Sequence, residues 1–430
     1  MKKNNIHIGE YNMDYFDRTN SDLQKAYEVE KKKYTSFIKA KLNLNMARGK
    51  PCKEQLDLSD GMLDILNSKN VVSDYRNYGG LEGIKEAREL FAKVAGVSEQ
   101  EIIIGNNSSL NMMFDYLMRA MQFGVNGKPA WCTMKTVKFL CPSPGYDRHF
   151  AICETLGIEM ITIPMKEDGP DMDLVETLAS SDESIKGIWC VPRFSNPDGV
   201  VYSDEVVDRL ANMKTASDFV IMWDNAYCVH ALYSDAPELK NILTACKEAG
   251  NSNRPIMFGS TSKITYPGSG IAFMSASVTN INSALDKMKI QSIGPDKLTQ
   301  LAHVKFLKDI DGIKAIMQLH AEILRPKFEM VISALTNNFS DTDLVKWNNP
   351  TGGYFISLYV KNGCAKKVCE LCKKAGMILT PAGATYPLNL DDYDSNIRIA
   401  PTFPPLDELE KACDILVCCI KLAIIESITK

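Results

Sequence analysis

The sequence predicts an α/β protein with a large domain, built on a mostly parallel seven-stranded sheet covered by helices, and a smaller α/β domain. Two observations support this fold class. Apolar runs of strand length alternate with helices of about ten or more residues between residues 80 and 277, which is typical of a parallel sheet covered on both faces. The chain has 430 residues, which is longer than a domain with a single hydrophobic core usually is. We expect residues 63–310 to form the large domain, and residues 1–62 with 311–430 the small one.

The alternation that defines the large domain begins near residue 80. Residues 81–96 carry apolar side chains at helical spacing and end at Gly96, and EIIIG at 101–105 follows as a strand. Further strands are predicted at VKFLCP, EMITIPM, IKGIWCVP, FVIMWD, IMF and GIAFMSAS. The helices between them are predicted from Ser108 to Phe123 and at DRHFAICETLG, DLVETLAS and DEVVDRLANMK.

The segments on either side of this region have fewer predicted strands. Residues 21–42 read as a charged surface helix, and 42–62 as an ordered loop. A long helix over 312–339 contains Pro326 and is expected to bend there. The smaller domain is then built from GGYFISLYV, CAKKVCELCKKAG, NIRIAP and LDELEKACDILVCCIKLAII.

Composition indicates a small-molecule partner. The formal net charge of -4 gives no electrostatic argument for binding nucleic acid or a membrane surface. No apolar window approaches the length of a signal peptide core or a membrane span. Several of the 13 cysteines lie inside apolar segments, which suits a reducing compartment without disulfides. We therefore expect a cytoplasmic protein.

Lys263 is the first candidate for chemistry. The apolar run Ile256–Phe258 predicts a buried strand that stops at Gly259, after which small hydroxyl residues flank this lysine and a Pro-Gly turn follows. A lysine held among apolar walls loses its proton readily enough to attack a carbonyl. The alternative, from this segment alone, is an ordinary loop lysine at a strand end.

Four polar clusters follow other predicted strands, at the edge where such sheets bind ligands. Asp224 ends FVIMWD and needs a partner, although it could instead cap a helix. Asn196-Pro-Asp-Gly199 is a turn signal first of all. The cluster from Gly105 through Ser109 suits an anion at a helix N-terminus, or simple capping. Tyr146, in PSPGY, offers an aromatic face that could equally be packing.

The order of these motifs resembles that of fold type I pyridoxal-phosphate enzymes, in particular class I/II aminotransferases. The resemblance covers almost the whole chain, because Tyr75-Arg-Asn-Tyr-Gly-Gly-Leu81 and Asn396-Ile-Arg-Ile-Ala-Pro-Thr402 also match family signatures. The segments ARGKP-x-x-EQLDLS, PRFSNPDG and TSKITYPGSG look like an atypical aspartate aminotransferase subgroup, related to the aminotransferase-like domain of certain bacterial regulators.

The resemblance implies pyridoxal 5'-phosphate as cofactor. Lys263 would form a Schiff base with it and carry the proton to and from the substrate. Asp224 would face the pyridine nitrogen and keep it protonated. Asn196 and Tyr227 would donate to the ring 3-oxygen, and Tyr146 would stack on the ring. The residues implied to hold the phosphate are Asn107, Ser108, Ser109, Ser260 and Ser262.

The resemblance also implies a substrate site and a homodimer. Arg398 would clamp the substrate α-carboxylate through a bidentate pair, with Asn196 beside it and the backbone of Gly49 close by. Tyr75 would reach the phosphate of the neighbouring subunit, so that the two subunits share their active sites. A dicarboxylate substrate needs a second cation, and the candidates are Arg48, Lys50, Arg193 and Lys297.

One position departs from the family pattern. The family places an arginine shortly after the lysine, in a PG-x-R segment, where it pairs with the phosphate. This chain has Ser269 in Pro267-Gly268-Ser269-Gly270. Ser269 is expected to supply a weaker hydrogen bond, or the helix N-terminus to hold the anion with other donors.

Three functions stay open. The first is transfer of an amino group between an amino acid, L-aspartate by resemblance, and a 2-oxo acid, 2-oxoglutarate. The second is a pyridoxal-phosphate β-eliminating lyase or another amino-acid enzyme, which would use the same Lys263 and Asp224. The third is a cofactor-sensing regulator domain, which would require a basic helix-turn-helix region that the N-terminal residues have little room for.

Two other motifs are weaker. Cys364, Cys369 and Cys372, with Cys413, have the spacing of iron–sulfur ligands, but the run CAKKVCELCKKAG also has helical spacing and is expected to be structural. We therefore predict no metal. Gly268 and Gly270 suggest a dinucleotide fingerprint, which fails at Phe273.

Overall fold

The computed structural model describes residue 16, residues 19–71 and residues 73–429. Residues 1–15, 17 and 18, which belong to the predicted N-terminal part of the small domain, lie outside the described residues. The helices are α1 (Asn20–Ala40), α2 (Lys53–Asp57), α3 (Lys85–Ala95), α4 (Ser109–Phe123), α5 (Asp147–Thr155), α6 (Met172–Ser181), α7 (Asp204–Asn212), α8 (Ile242–Glu248), α9 (Val278–Gln291), α10 (Lys297–Leu307), α11 (Ile310–Phe339), α12 (Ala365–Lys374) and α13 (Leu406–Ile428). The strands are β1 (Leu44–Asn45), β2 (Ile102–Ile104), β3 (Lys138–Ser143), β4 (Glu159–Lys166), β5 (Gly169–Pro170), β6 (Ile185–Cys190), β7 (Val220–Asp224), β8 (Pro255–Ser260), β9 (Ala272–Ser275), β10 (Val345–Trp347), β11 (Ile356–Val360), β12 (Met377–Ile378) and β13 (Asn396–Ile399).

The main sheet confirms the predicted fold class. Its strand order is β2-β9-β8-β7-β6-β3-β4-β5. The neighbours from β8 to β4 pair in parallel, whereas β9 runs antiparallel to both β8 and β2. The seven predicted strands are all present, and the two-residue β5 adds an eighth at the edge, antiparallel to β4. An element of two residues carries no periodicity, so the sequence did not predict it.

Helices cover both faces of this sheet. Alternate side chains of a strand point to opposite faces. On β7, Met222 belongs to the core on one face, while Ile221 and Trp223 belong to the core on the other. Every residue of β6 and β7 is buried, as expected for central parallel strands. Two catalytic candidates, Asp224 and Tyr227, lie at or just after the carboxyl end of β7, and Lys263 follows that of β8.

A second sheet and its helices form another core. β10, β11 and β13 make an antiparallel three-stranded sheet, and β1 pairs in parallel with β12. Side chains from α1, α12, α13 and the C-terminal part of α11 pack in this core. We propose the division predicted from the sequence, with α11 as the connection, because Ile313 contributes to the core under the main sheet and Phe328 to the second core.

Some elements of this second region were not predicted. The segment 42–62, expected to be a loop, contains β1 and the short α2. α11 is one 30-residue helix with Pro326 inside it, and the bend expected there stays a prediction. The cysteine-rich run forms α12, with Cys364 as its N-cap, in agreement with its helical spacing.

The described residues contain neither a metal-binding cluster nor a membrane-spanning helix. No group of three or more His, Cys, Asp or Glu side chains there is placed to hold a metal ion. No helix there is both long enough and apolar enough to cross a membrane.

Candidate active site

A cavity of about 630 Å³ opens at the carboxyl ends of β6, β7 and β8 and extends to the second core region. It brings together most of the predicted site residues, namely Gly49, Asn107, Ser108, Ser109, Tyr146, Asn196, Asp224, Tyr227, Ser260, Ser262, Lys263 and Arg398. It is also lined by polar or aromatic residues that the sequence did not single out for it, namely Asp147, Arg148, Phe355 and Thr380. The site therefore draws on both parts of the chain.

Lys263 lies in the segment that joins β8 to β9. Its side chain is half-buried, with Nζ at 5.0 Å from the centroid of the Tyr227 ring and 5.6 Å from that of Tyr354. Burial lowers the pKa of the Lys263 amine, and the negative charge of Asp224 opposes that shift. A lowered pKa increases the fraction of neutral, nucleophilic amine.

Three buried histidines hold the backbone around this lysine. His230 Nε2 lies 3.3 Å from the carbonyl oxygen of Lys263, and His320 Nε2 lies 2.9 Å from that of Ile264, so both rings donate. His303 Nε2 contacts the hydroxyls of Thr261 at 3.2 Å and Thr265 at 2.8 Å. Burial lowers the pKa of all three imidazoles, that of His230 to about 3, so they act as neutral donors and acceptors near pH 7.

Asp224 ends β7 with one satisfied and one unsatisfied carboxylate oxygen. Its Oδ2 lies 3.0 Å from His149 Nε2, whose ring is stacked on Trp189 at 4.1 Å between centroids. Its Oδ1 is buried and has no hydrogen-bond partner in the described part of the chain. Asp224 does not cap a helix, because α8, the next one, begins at Ile242. A buried, unpaired carboxylate oxygen is costly, so this atom needs a donor from a ligand.

Hydroxyl and amide groups meet where α4 begins. Ser108 is the N-cap of α4, and its Oγ accepts from the backbone N–H of Asn111 at 3.2 Å. Ser262 Oγ donates to the carbonyl oxygen of Asn107 at 3.3 Å, and Ser260 Oγ lies 3.1 Å from Ser262 Oγ. The cluster brings hydroxyl donors to a helix N-terminus, which is a favourable place for a phosphate.

Arg398 lies on β13, is buried and lines the cavity. Its Nη1 donates to Asp147 Oδ1 at 3.0 Å and to Asn196 Oδ1 at 3.2 Å. Its Nε and Nη2 donate to Thr380 Oγ1 at 3.4 and 3.3 Å, and its Cζ lies 4.9 Å from the centroid of the Phe355 ring. These contacts fix the plane of the guanidinium.

Position 49 requires glycine because the Phe355 ring packs closely against its backbone. A Cβ built on it would overlap the Phe355 ring, which also covers Arg398. We therefore expect Gly49→Ala to lower the free energy of unfolding by about 1–3 kcal/mol in urea titrations, the usual cost of overpacking. Gly268→Ala is the matched control, since a Cβ there meets nothing within 4 Å and should change stability by less than about 0.5 kcal/mol. Equal losses in the two variants would contradict the packing argument.

Two predicted cofactor residues lie away from the cavity of their own chain. Ser269 is exposed and does not line it. Its contact with a phosphate stays a prediction. Tyr75 does not line it either, and its hydroxyl donates to Glu86 Oε1 at 2.5 Å. That placement is compatible with a role toward a neighbouring subunit, which stays a prediction.

The candidate cations for a distal carboxylate separate into two groups. Arg48 lines the cavity, together with Arg148, which the sequence reading missed. The other candidates do not: Lys50 Nζ lies 3.8 Å from the centroid of the Phe403 ring, Arg193 donates to the carbonyl oxygens of Cys228 and Pro237, and Lys297 donates to that of Tyr78.

Comparison with known proteins identifies the family. The aspartate amino-transferase family model matches residues 18–430. An aspartate aminotransferase of Corynebacterium glutamicum is 44% identical over 406 residues, which are 93% of this chain and 94% of that one. A crystal structure of an aspartate transaminase from the same species has a TM-score of 0.93 and 43% identity, and the match covers 97% of this chain and all of that one.

A more distant structure shares the fold. The α-aminoadipate aminotransferase LysN of Thermus thermophilus, complexed with N-(5'-phosphopyridoxyl)-L-leucine, has a TM-score of 0.74 at 20% identity, over 90% of this chain and 93% of that one. The family match and the 44% identical relative confirm the resemblance that the sequence motifs indicated. This chain belongs to the aspartate amino-transferase family and is an aminotransferase.

Proposed function

We propose that this enzyme uses pyridoxal 5'-phosphate, held through Lys263, to transfer the amino group of L-aspartate to 2-oxoglutarate. The observation that carries the proposal is the buried Oδ1 of Asp224, which lacks a partner among the described residues and lines the same cavity as Lys263. A protonated pyridine nitrogen is the donor that this oxygen requires. The cavity volume of about 630 Å³ is in the usual range for cofactor sites.

The other cavity residues fit the remaining groups of the cofactor. The phosphate would be held at the start of α4 by Asn107, Ser108, Ser109, Ser260 and Ser262, as the hydroxyl cluster there suggests. Tyr227 would donate to the ring 3-oxygen, since its hydroxyl has no acceptor within the described residues, and Asn196 would do so through its amide nitrogen, because its Oδ1 accepts from Arg398. Tyr146 would cover the ring face.

When bound, pyridoxal phosphate supplies a conjugated ring that takes up the electron pair left at the substrate α-carbon. Lys263 Nζ removes the proton from the α-carbon of the amino-acid donor and adds a proton to the α-carbon of the amino acid that is formed from the 2-oxo acid. The lowered pKa of its amine suits both transfers. Asp224 would hold the ring nitrogen through Oδ1, and His149 contacts Oδ2 of the same carboxylate. The three histidines around residues 261–265 keep the lysine backbone in place.

Guanidinium groups in the cavity indicate the class of substrate. Arg398 would bind the α-carboxylate, because a guanidinium matches a carboxylate with two parallel hydrogen bonds. Arg48 and Arg148 also line the cavity and would bind a second, distal carboxylate. Three arginines at one small cavity favour a dicarboxylic amino acid and a dicarboxylic 2-oxo acid. The names of two relatives include aspartate, and 2-oxoglutarate is the partner implied by the sequence resemblance.

In a homodimer with shared active sites, the partner subunit would complete the phosphate-binding end of the cavity. Near Tyr75 the chain exposes large apolar side chains, with Tyr78 at 83%, Ile290 at 84% and Ile293 at 63% exposure. These segments are neighbours, because Lys297 Nζ donates to the carbonyl oxygen of Tyr78 at 3.3 Å. A second copy of this chain is the proposed cover for this surface, and would bring its Tyr75 to the phosphate.

The substrate assignment is tested by product analysis with purified protein and added cofactor. We expect L-aspartate and 2-oxoglutarate together to give equal amounts of oxaloacetate and L-glutamate. The ratio kcat/KM should exceed that for L-alanine by about 100-fold, since alanine lacks the carboxylate for Arg48 and Arg148. Absence of this product pair, with release of pyruvate and ammonia from L-serine in the absence of any 2-oxo acid, would instead identify a β-eliminating lyase and contradict the proposal.

A further inference from the structure

The guanidinium of Arg398 already has acceptors for most of its N–H groups. Both N–H groups of Nη1 are used, one by Asp147 Oδ1 at 3.0 Å and one by Asn196 Oδ1 at 3.2 Å. Nε and Nη2 share Thr380 Oγ1 as acceptor, at 3.4 and 3.3 Å. Of the five N–H groups, only the second one on Nη2 has no acceptor in the described part of the chain.

A substrate carboxylate needs more than this one donor. The strong bidentate pair uses two adjacent N–H groups of the guanidinium, so one of the present acceptors has to leave before the pair can form. Asn196 and Thr380 are 4% and 6% exposed and are enclosed by the fold. The Asp147 side chain is 35% exposed, in the first turn of α5, and can rotate into water at little cost.

We propose that Asp147 is a built-in competitor for the carboxylate site: its own carboxylate occupies Nη1 of Arg398 in the free enzyme and is displaced by the carboxylate of the substrate. This inference rests on the proposed role of Arg398. The ion pair neutralises a buried guanidinium that would otherwise be left unpaired between turnovers. It also weakens the binding of every carboxylate by the same factor. The ratio of affinities is unchanged, but a ligand with a single carboxylate is left largely unbound at concentrations where a ligand with additional contacts still binds.

The test is the affinity of the cofactor-loaded full-length protein for propionate, measured by calorimetry at constant ionic strength. Propionate has one carboxylate and no amino group, so it binds without reacting. Asp147→Asn should bind it about 5-fold more tightly, the factor expected when a half-exposed competing ion pair is removed. Asp147→Ser is the second variant and should behave alike. Unchanged or weaker binding in both variants would overturn the inference, and weaker binding would mean that Asp147 holds Arg398 in its binding position.

A charge-matched control separates local competition from a general change in potential. Asp60→Asn removes the same charge from a carboxylate that accepts from Tyr266 and does not line the cavity. Its propionate affinity should equal that of the unmodified protein, and a 5-fold gain there would overturn the inference. In the reaction with amino acids, Asp147→Asn should lower KM and change kcat by no more than about 2-fold. The Asp147 carboxylate has already left Arg398 in the substrate complex and in the transition state, so its removal affects the free enzyme alone.

Failure of this inference can be distinguished from failure of the proposed function. If the Asp147 variants bind propionate no more tightly than the unmodified protein, and transamination is intact, only the proposed competition by Asp147 is contradicted. Absence of transamination with any dicarboxylic pair counts against the proposed function, while the propionate titration still reports on the contact between Asp147 and Arg398.

Discussion

Replacement of Lys263 by alanine is expected to lower kcat by about 10⁴-fold, because in the proposed mechanism the same amine is the nucleophile toward the cofactor and the base at the substrate α-carbon. The structure supports both roles through half-burial of the side chain and the lowered pKa of the amine. The measurement is single-turnover conversion of L-aspartate by the cofactor-loaded variant.

Two comparisons make the Lys263 result specific. Lys263→Arg keeps a long cationic side chain, but a guanidinium does not lose its proton, so this variant should be as inactive as alanine. Lys287→Ala, on the surface of α9, should leave kcat within about 2-fold. An Lys263→Arg enzyme with more than about one-tenth of the original kcat would show that only the positive charge matters there, contrary to the proposal.

Replacement of Asp224 by asparagine is the second large effect. Asparagine keeps the shape and a contact for His149 but removes the negative charge that is proposed to stabilise the protonated ring nitrogen of the cofactor. Losing one partner of a buried charged pair costs about 3–5 kcal/mol, so we expect kcat to fall by about 10²–10⁴-fold. Steady-state kinetics at saturating cofactor measures this loss, and Asp224→Glu should retain more activity than Asp224→Asn.

Asp218 provides the matched control for Asp224, because it is a buried aspartate just before the same strand. Its Oδ1 pairs with Lys186 Nζ at 2.7 Å and its Oδ2 accepts from Trp131 at 3.0 Å. Asp218→Asn should therefore lower the free energy of unfolding by about 3 kcal/mol or more and leave kcat of the folded enzyme nearly unchanged. Equal activity losses for the two asparagine variants would refute a specific role for Asp224.

The strand-end residues of the site could be predicted from sequence because local pattern is enough to place them. FVIMWD is apolar up to Asp224, the apolar run Ile256–Phe258 ends shortly before Lys263, and parallel strands bring their carboxyl ends to one edge. The cavity collects Asp224, Lys263 and Asn196 for that reason.

The supporting residues could not be predicted in this way, because they act through contacts between distant segments. His149 and Asp224 are 75 positions apart, and a histidine inside a helix pattern gives no sign of its partner. Phe355 and Thr380 reach Arg398 only through the packing of the second core region. Asp147 adjoins the predicted Tyr146, yet its ion pair with Arg398 spans 251 positions.

The central claim is that Lys263 is the residue that carries the cofactor. The most direct measurement is reduction of the cofactor-loaded protein with borohydride, which makes the lysine linkage permanent, followed by peptide mass spectrometry. We predict the phosphopyridoxyl mass on the peptide that contains Lys263, and its loss from that peptide when L-aspartate is added before the reduction. A modification on another lysine, or none on the Lys263 peptide, would contradict the account.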